Sequence, residues 1–385
     1  MSGSTPELAL KTAVDADDTA DYLTISLATS LTTLDALFNS ATGHTHVGAH
    51  QGGPVAPAAG SITSGMIADG TIATADLANA AVTNAKLASD VGRANLLTNG
   101  SFDLWARGAG PYTASGAYFA DRWTTSIVGS DTLSVSRATG GNVDVGSLAS
   151  VSCTMTLGTG AGQTGLVQTL KQAEGYQLAG KSVSFSLRVK TTVAAAVRAG
   201  VAVDGVYSYS SFHTGDNTWQ SLTVPNVTVP AAWTGTLQVF AFFAAAGTHY
   251  VDNAVLVAGS QPADYAPLHP ADDQGRVLRY YQRFSAPSNQ SIGFGQAYSG
   301  TNGMIGIPLL AVMPGAPTLT VSAAGDWALT SNAFANNVCT AVAAGAMSPD
   351  HVVINASVSG GVAAGNCTAL RGNTGTAWLA LEYNP

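Results

Sequence analysis

The rhythm of apolar positions changes along the chain and divides it into stretches. From about Thr19 to Asn39 the spacing is helical, with Leu27, Leu31, Leu34 and Phe38 separated by 4, 3 and 4 residues. That short seam suits one turn of a small helical bundle or an amphipathic helix docking on a partner, and it is too short to stand alone. Gly60 to Ser89 then reads GSITS, GMIAD, GTIAT, ADLAN, AAVTN and AKLAS, six consecutive units of five residues. The third position is always apolar (Ile62, Ile67, Ile72, Leu77, Val82, Leu87) and the first is always Gly or Ala. A fixed repeat with small and apolar residues in phase marks one unit stacked along an axis. Six units make too few coils for a single-chain pentapeptide solenoid. We read a slender stem in which identical chains share one apolar seam, with a flexible Ala/Gly linker as the alternative.

From Asn95 onward the period becomes two, as in half-buried strands. Leu133 and Val135 alternate in DTLSVSR, and Val151, Cys153, Met155 and Leu157 in SVSCTMTL. Val183, Phe185, Leu187 and Val189 follow, then Val197, Ala199, Val201 and Val203, then Leu237, Val239, Ala241 and Phe243, then Val255 and Val257. Many short strands with Gly-rich turns and no helix between them predict a two-sheet antiparallel β-sandwich. After a boundary at Pro267 to Pro270, Asp272 to Phe284 reads as one helix, with Val277, Leu278, Tyr281 and Phe284 on a face. Strand texture then returns in MIGIPLLAVM, PTLTVSA, HVVINASV and TAWLALEY, enough for a small second β domain. The fold class expected is therefore mainly β.

Composition narrows the function. Of the 385 residues only 10% are charged, 43 are glycine, and the net charge is −8. With no basic cluster, phosphate-led binding of nucleic acid is not expected. The N-terminus lacks a cationic start followed by an apolar core, so no secretory signal is read, and the longest apolar run, Val239 to Ala246, is too short for membrane insertion. A soluble protein is expected. Cys153, Cys339 and Cys367 make no metal-type spacing; Cys339 and Cys367 would be the pair to join in an oxidising setting. Gly175 to Ser182 matches the phosphate-loop pattern G-x-x-x-x-G-K-[ST]. That loop needs a following helix, whereas Val183 to Lys190 alternates as a strand, so the match is read as a turn.

Two groups of residues carry candidate chemistry. His44 and His46, in an extended segment, share a face. Three chains around an axis would present six imidazoles, a cage for iron or another first-row transition metal such as nickel. Sugar rings stack on exposed aromatic faces flanked by a few polar groups. YSYSSFHTGDNTW is polar, loop-like and aromatic together, which makes Tyr207, Tyr209, Phe212 and Trp219 stacking candidates, with His213 and Asp216 as hydrogen-bonding partners. Trp105, Tyr112, Tyr118, Trp123 and Trp233 are weaker candidates, because most aromatics of a sandwich belong to its core. No H-E-x-x-H or G-x-S-x-G occurs, and the sparse acids, Glu174 and Glu382 among them, mark no catalytic pair. We expect no enzyme.

The run Asn95-Leu96-Leu97-Thr98-Asn99-Gly100-Ser101-Phe102-Asp103-Leu104-Trp105, with Ala120-Asp121-Arg122-Trp123, resembles the start of the jelly-roll module in bacteriophage tail fibres and receptor-binding proteins. That module is similar to carbohydrate-binding modules. Tyr250 to Gly259 and Ala263 to Pro267 resemble its closing strand. Arg279-Tyr280-Tyr281-Gln282-Arg283-Phe284, with Met313 to Thr318, resembles the tip domain that often comes after it; the stem repeat and the H-x-H pair also recur in such fibres. The resemblance implies a homotrimeric tail fibre of the virion that docks on a tail or baseplate protein and binds host surface polysaccharide. Its parts would be a tail-attachment segment with a short helix (1–42), an HxH neck (43–59), a pentad-repeat stem (60–92), a jelly roll (93–268) and a tip domain (269–385). It also implies a structural calcium near the first and last jelly-roll strands, where Asp103 and Asp252 match. The alternatives are a polysaccharide-degrading tail enzyme and a purely structural spacer. Light scattering should give three times the chain mass for the full protein and a smaller particle once residues 1–94 are removed; a monomeric full chain would sink the stem.

Overall fold

Alternation with one face buried yields sheets wherever it runs long enough, and sheets dominate this chain. The computed structural model describes residues 29–32, 62–77, 94–158, 163–233, 235–330 and 335–383. The chain divides into two units, residues 1–81 and 82–385. In the first, residues 29–32 are helical, inside the stretch expected to be helix. The described part of the repeat is a string of tight turns. Short 3-10 turns at Ser64–Met66 and Thr74–Asp76 stand ten residues apart, two repeat units. Between them Thr71 N–H donates to Ala68 O at 3.2 Å, and Gly70 supplies the positive φ of 77° that this turn requires. The third-position residues Ile62, Ile67, Ile72 and Leu77 are 54, 42, 52 and 46% exposed on the single chain. The remaining repeat units and the pair His44 and His46 lie outside the described residues.

The second unit begins with a sandwich of ten strands: β1 (Thr124–Ser126), β2 (Thr132–Ala138), β3 (Ser150–Thr156), β4 (Gly165–Lys171), β5 (Ser182–Thr191), β6 (Val197–Val203), β7 (Val206–Phe212), β8 (Gln220–Thr228), β9 (Thr236–Phe243) and β10 (Gly247–Ala258). One antiparallel sheet has the order β1-β4-β9-β6-β7, the other β2-β3-β10-β5-β8. The inward residues read from the sequence on β2, β3, β5, β6 and β9 lie in one shared core, which also buries Trp123, except Leu157, which falls just past β3 and is exposed. β10 departs from simple alternation. A bulge between Asp252 and Val255, with Asn253 at φ 47°, turns Ala254 and Leu256 inward. Val255 and Val257 then face the other way, under Ala263 and Tyr265. YSYSSF, expected as loop, is strand β7 at a sheet edge. The phosphate-loop look-alike is a short helix α1 (Gln172–Gly175), a 3-10 turn and the start of β5, so it is a turn before a strand.

Helix α2 (Pro270–Leu278) has Pro270 at its first turn and His269 as N-cap, whose Nδ1 accepts from Ala271 N–H at 3.3 Å. It ends earlier than the spacing predicts. Tyr281 and Phe284 belong instead to β11 (Tyr281–Ala286), because pairing with the last strand, β19 (Ala377–Glu382), overrides their helical spacing. With β14 (Thr318–Val321) these form a three-stranded sheet. A closed barrel has the order β12-β13-β17-β16-β15-β18: β12 (Ser291–Ala297), β13 (Asn302–Ile307), β15 (Trp327–Thr330), β16 (Asn336–Met347), β17 (Val352–Val358) and β18 (Cys367–Gly372). Trp327, Ile354 and Leu379 share its core. The three cysteines are free, two buried and Cys367 exposed.

Arg107 ties sandwich to sheet. Its Nη1 lies 2.6 Å from Asp121 Oδ1, its Nη2 donates to Glu382, and its guanidinium sits 3.8 Å from the Tyr281 ring centroid. Burial pushes the Asp121 carboxyl up to about 6, with Arg107 pulling the other way. The folded pKa is thus above the unfolded value of 3.8, so the group's contribution is fully present below that value and lost as pH rises through about 6. Arg107→Met removes the pull. We expect a loss of about 3–5 kcal/mol at pH 8 in urea unfolding and a smaller loss at pH 4.5, where Asp121 takes a proton. Equal losses at both would show that Asp121 does not depend on Arg107.

Candidate glycan-binding face

The outer side of the sheet β1-β4-β9-β6-β7 is built by the residues that alternate with the core. On β9, Leu237, Val239, Ala241 and Phe243 face inward, which leaves Gln238, Phe240 and Phe242 outside. On β6 the outer residues are Arg198, Gly200 and Ala202, opposite Phe212, Tyr209 and Tyr207 of β7. Small residues at 200 and 202 make room for rings. A Cβ at Gly200 would stand 2.6 Å from the Phe242 ring and 3.2 Å from Tyr209. Over this floor Phe240 and Phe242 stack at 4.5 Å, and Tyr207 and Tyr209 stack on each other at 6.0 Å with planes 10° apart. The floor phenylalanines are 5 and 4% exposed, while Tyr207 keeps 44% and Phe212 38%. Arg198 lies 3.7 Å from the Tyr209 centroid and 5.1 Å from Phe212, and Gln163 Nε2 donates to the Tyr209 hydroxyl. Gln238 Nε2 donates to Thr169 Oγ1 at 3.1 Å on the same face.

Tyr207 and Phe212, exposed, and Tyr209, half-buried, thus come together as an aromatic strip with a guanidinium across it. His213 does not join them. It is 1% exposed; its Nε2 donates to the carbonyls of Val189 and Thr218, both at 3.1 Å, and its Nδ1 accepts from Gly215 N–H at 2.8 Å. Both ring nitrogens are spent, so this imidazole fastens the loop after β7 rather than facing a ligand. Asp216 is exposed on that loop and accepts from the Thr218 hydroxyl and amide at 2.8 and 3.0 Å and from Gln220 at 3.0 Å. The Thr218 hydroxyl and then its amide lower the Asp216 pKa. Trp219 is half-buried just before β8. Trp123 and Trp233 are core. Sequence reasoning missed Arg198, Phe240 and Phe242, although TLQVFAFF is apolar on both faces, the pattern of a strand covered twice.

Asp103 and Asp252, the residues expected near a structural calcium, are both held by hydrogen-bond donors. Asp103 Oδ1 accepts from the amides of Leu148 and Ala149 at 2.7 and 2.8 Å. Asp252 accepts from Asp144 N–H at 3.0 Å, Ser147 Oγ–H at 2.9 Å and Asn253 N–H at 2.8 Å. Burial pushes the Asp252 carboxyl up to about 7. Among the described residues no three His, Cys, Asp or Glu side chains gather as metal ligands. Glu174 is paired with the buried Arg122 and Glu382 with the partly buried Arg107.

No protein-family model matches the chain, and no curated protein sequence matches it. Solved structures similar to it include the C-terminal family 22 carbohydrate-binding module of Clostridium thermocellum Xyn10B, 19% identical over 41% of this chain and 98% of that one, TM-score 0.27. TmCBM61 in complex with β-1,4-galactotriose is 15% identical over 43% and 99%, TM-score 0.29. The enzymatically active domain of bacteriophage CBA120 tailspike protein 4 is 15% identical over 43% of this chain and 21% of that one, TM-score 0.29.

Because the rings at 209 and 242 close around Gly200, Gly200→Val should cost about 1–3 kcal/mol by overpacking. An unchanged urea midpoint would show that the floor of this face is not packed as described.

Proposed function

We propose that this chain is the receptor-binding fibre of a bacteriophage tail, and that it attaches the virion by binding host surface polysaccharide on the outer face of β6, β7 and β9. The observation that supports it best is the strip of Tyr207, Tyr209 and Phe212. Tyr207 and Phe212 are exposed and Tyr209 is half-buried over a layer of phenylalanine, and none of the three belongs to the core shared by the two sheets. Two near-parallel tyrosine rings offer flat apolar surface to pyranose faces, and Arg198 and Asp216 supply a charged donor and acceptor for hydroxyls. In the same proposal the apolar third positions of the repeat are covered by two further copies of the chain. The N-terminal segment docks on a tail or baseplate protein, and His44 and His46 of three chains hold a transition metal that elemental analysis would detect. The chain binds glycan without cleaving it.

Tyr207→Ala and Tyr209→Ala should each weaken binding in a panel of bacterial surface polysaccharides by about tenfold, about 1.4 kcal/mol, while the circular dichroism of the chain is retained. Binding that survives the double variant would move recognition elsewhere. Release of reducing ends from a bound polysaccharide would favour the enzyme.

A further inference from the structure

A second site lies away from the aromatic face, in a cavity of about 510 Å³ lined by Arg122, Glu174, Gln177, Arg276, Arg279 and Tyr280 among others. The whole chain has only 15 lysines and arginines and a net charge of −8, yet three guanidinium groups line this one cavity beside a single carboxylate. That carboxylate is already committed: Glu174 accepts from Arg122 Nη2 at 3.1 Å, from Lys171 N–H at 3.0 Å and from the Tyr280 hydroxyl. Arg122 is 6% exposed, lies 3.7 Å from the Tyr280 ring centroid, and has a buried Nε with no partner. Arg276 Nη1 donates to the carbonyls of Asn95 and Leu97 at 2.9 and 3.2 Å, which anchors that side chain at the rim. Arg279 is exposed at the end of α2. Asp273 interacts with Arg276 from outside the lining while accepting from Asn99 N–H at 2.8 Å. Even with it counted, positive charge exceeds negative.

Buried arginine held without enough acceptor oxygen is costly, and planar guanidinium groups match the oxygens of carboxylate and phosphate. We propose that this cavity binds an oxyanion, the carboxylate or phosphate ester of a small sugar or polyol, with Arg276 and Arg279 contacting the anion and Arg122 holding the wall behind it. It is independent of the aromatic face and does not rest on the fibre proposal.

Titration calorimetry of the full chain with D-glucuronate, D-glucose 6-phosphate, inorganic phosphate and D-glucose tests it. At least one anionic probe should bind ten times more tightly than glucose and weaken as salt rises from about 50 to 300 mM. A preference for glucuronate assigns a carboxylate, and one for the phosphates assigns a phosphate ester. Arg279→Gln, at an exposed position that leaves folding intact, should lower the affinity at least tenfold; Arg279→Glu should abolish binding. Tyr207→Ala with Tyr209→Ala should leave it unchanged. No anion binding, equal binding by Arg279→Glu, or loss of binding in the tyrosine double variant would each overturn the assignment.

Discussion

Arg122, buried, and Arg107, partly buried, together with two adjacent tyrosines set the relation between the sandwich and the terminal three-stranded sheet. A guanidinium removed from water must be paired, or the fold bears its desolvation. Arg107 satisfies this by contacting Tyr281 and Glu382, which are direct cross-strand partners of β11 and β19. It therefore reads one rung of the terminal sheet and fixes that rung against Asp121. Arg122 is met from the other side by Tyr280, the last residue before the strand, and by Glu174. Tyr280 closes the turn after α2, its N–H donating to Val277 O at 2.8 Å, and Tyr281 opens β11, so the dipeptide Tyr280-Tyr281 serves both arginines at once. Among the described residues no strand passes between sandwich and barrel, and these charged contacts do what a shared sheet would otherwise do.

The two faces of the sandwich are treated differently, and that asymmetry makes the candidate site. On the sheet β2-β3-β10-β5-β8 the outward positions of β5 are Ser184, Ser186, Arg188 and Lys190. The two serines are capped by carbonyls of Gly259 and Ala263 at 2.8 and 2.7 Å. The closing segment of the sandwich thus covers its own sheet. The opposite sheet carries phenylalanines roofed by tyrosines, and the roof is left half-open. A strand at the edge would ordinarily invite pairing with another chain. Here the edge strand β7 carries its rings on the outer face, where they are placed for the flat ligand proposed for them.

Where alternation was clean the sequence declared the strand: β2, β3, β5, β6 and β9 could be read from every second residue. β7 escaped because YSYSSF lacks aliphatic residues, and its strand character comes from pairing with β6 rather than from composition. The bulge at Asn253 escaped for a related reason. A run apolar on both sides does not say which side changes faces. Tyr281 and Phe284 fitted a helical face until a partner strand nearly a hundred residues later claimed them. The site divided in the same way. Exposed aromatic residues in a polar run were legible, whereas Arg198, Phe240 and Phe242 join them only through sheet order. His213 looked like a ligand group because its neighbours are polar, and only the fold shows its imidazole closing a turn.

A face of two stacked tyrosines and a phenylalanine is shallow, and shallow faces hold single sugars weakly. For an attachment protein the deficit is offset by number, because linked sites engage a polymer at raised effective concentration. The first unit of the chain bears on this point. Ile62, Ile67, Ile72 and Leu77 recur at a fixed interval and are all substantially exposed among the described residues. Copies sharing that seam would bury it and, by the same act, bring several tyrosine strips onto one particle. On that proposal a shallow site and an exposed seam would have one remedy, and each makes physical sense of the other.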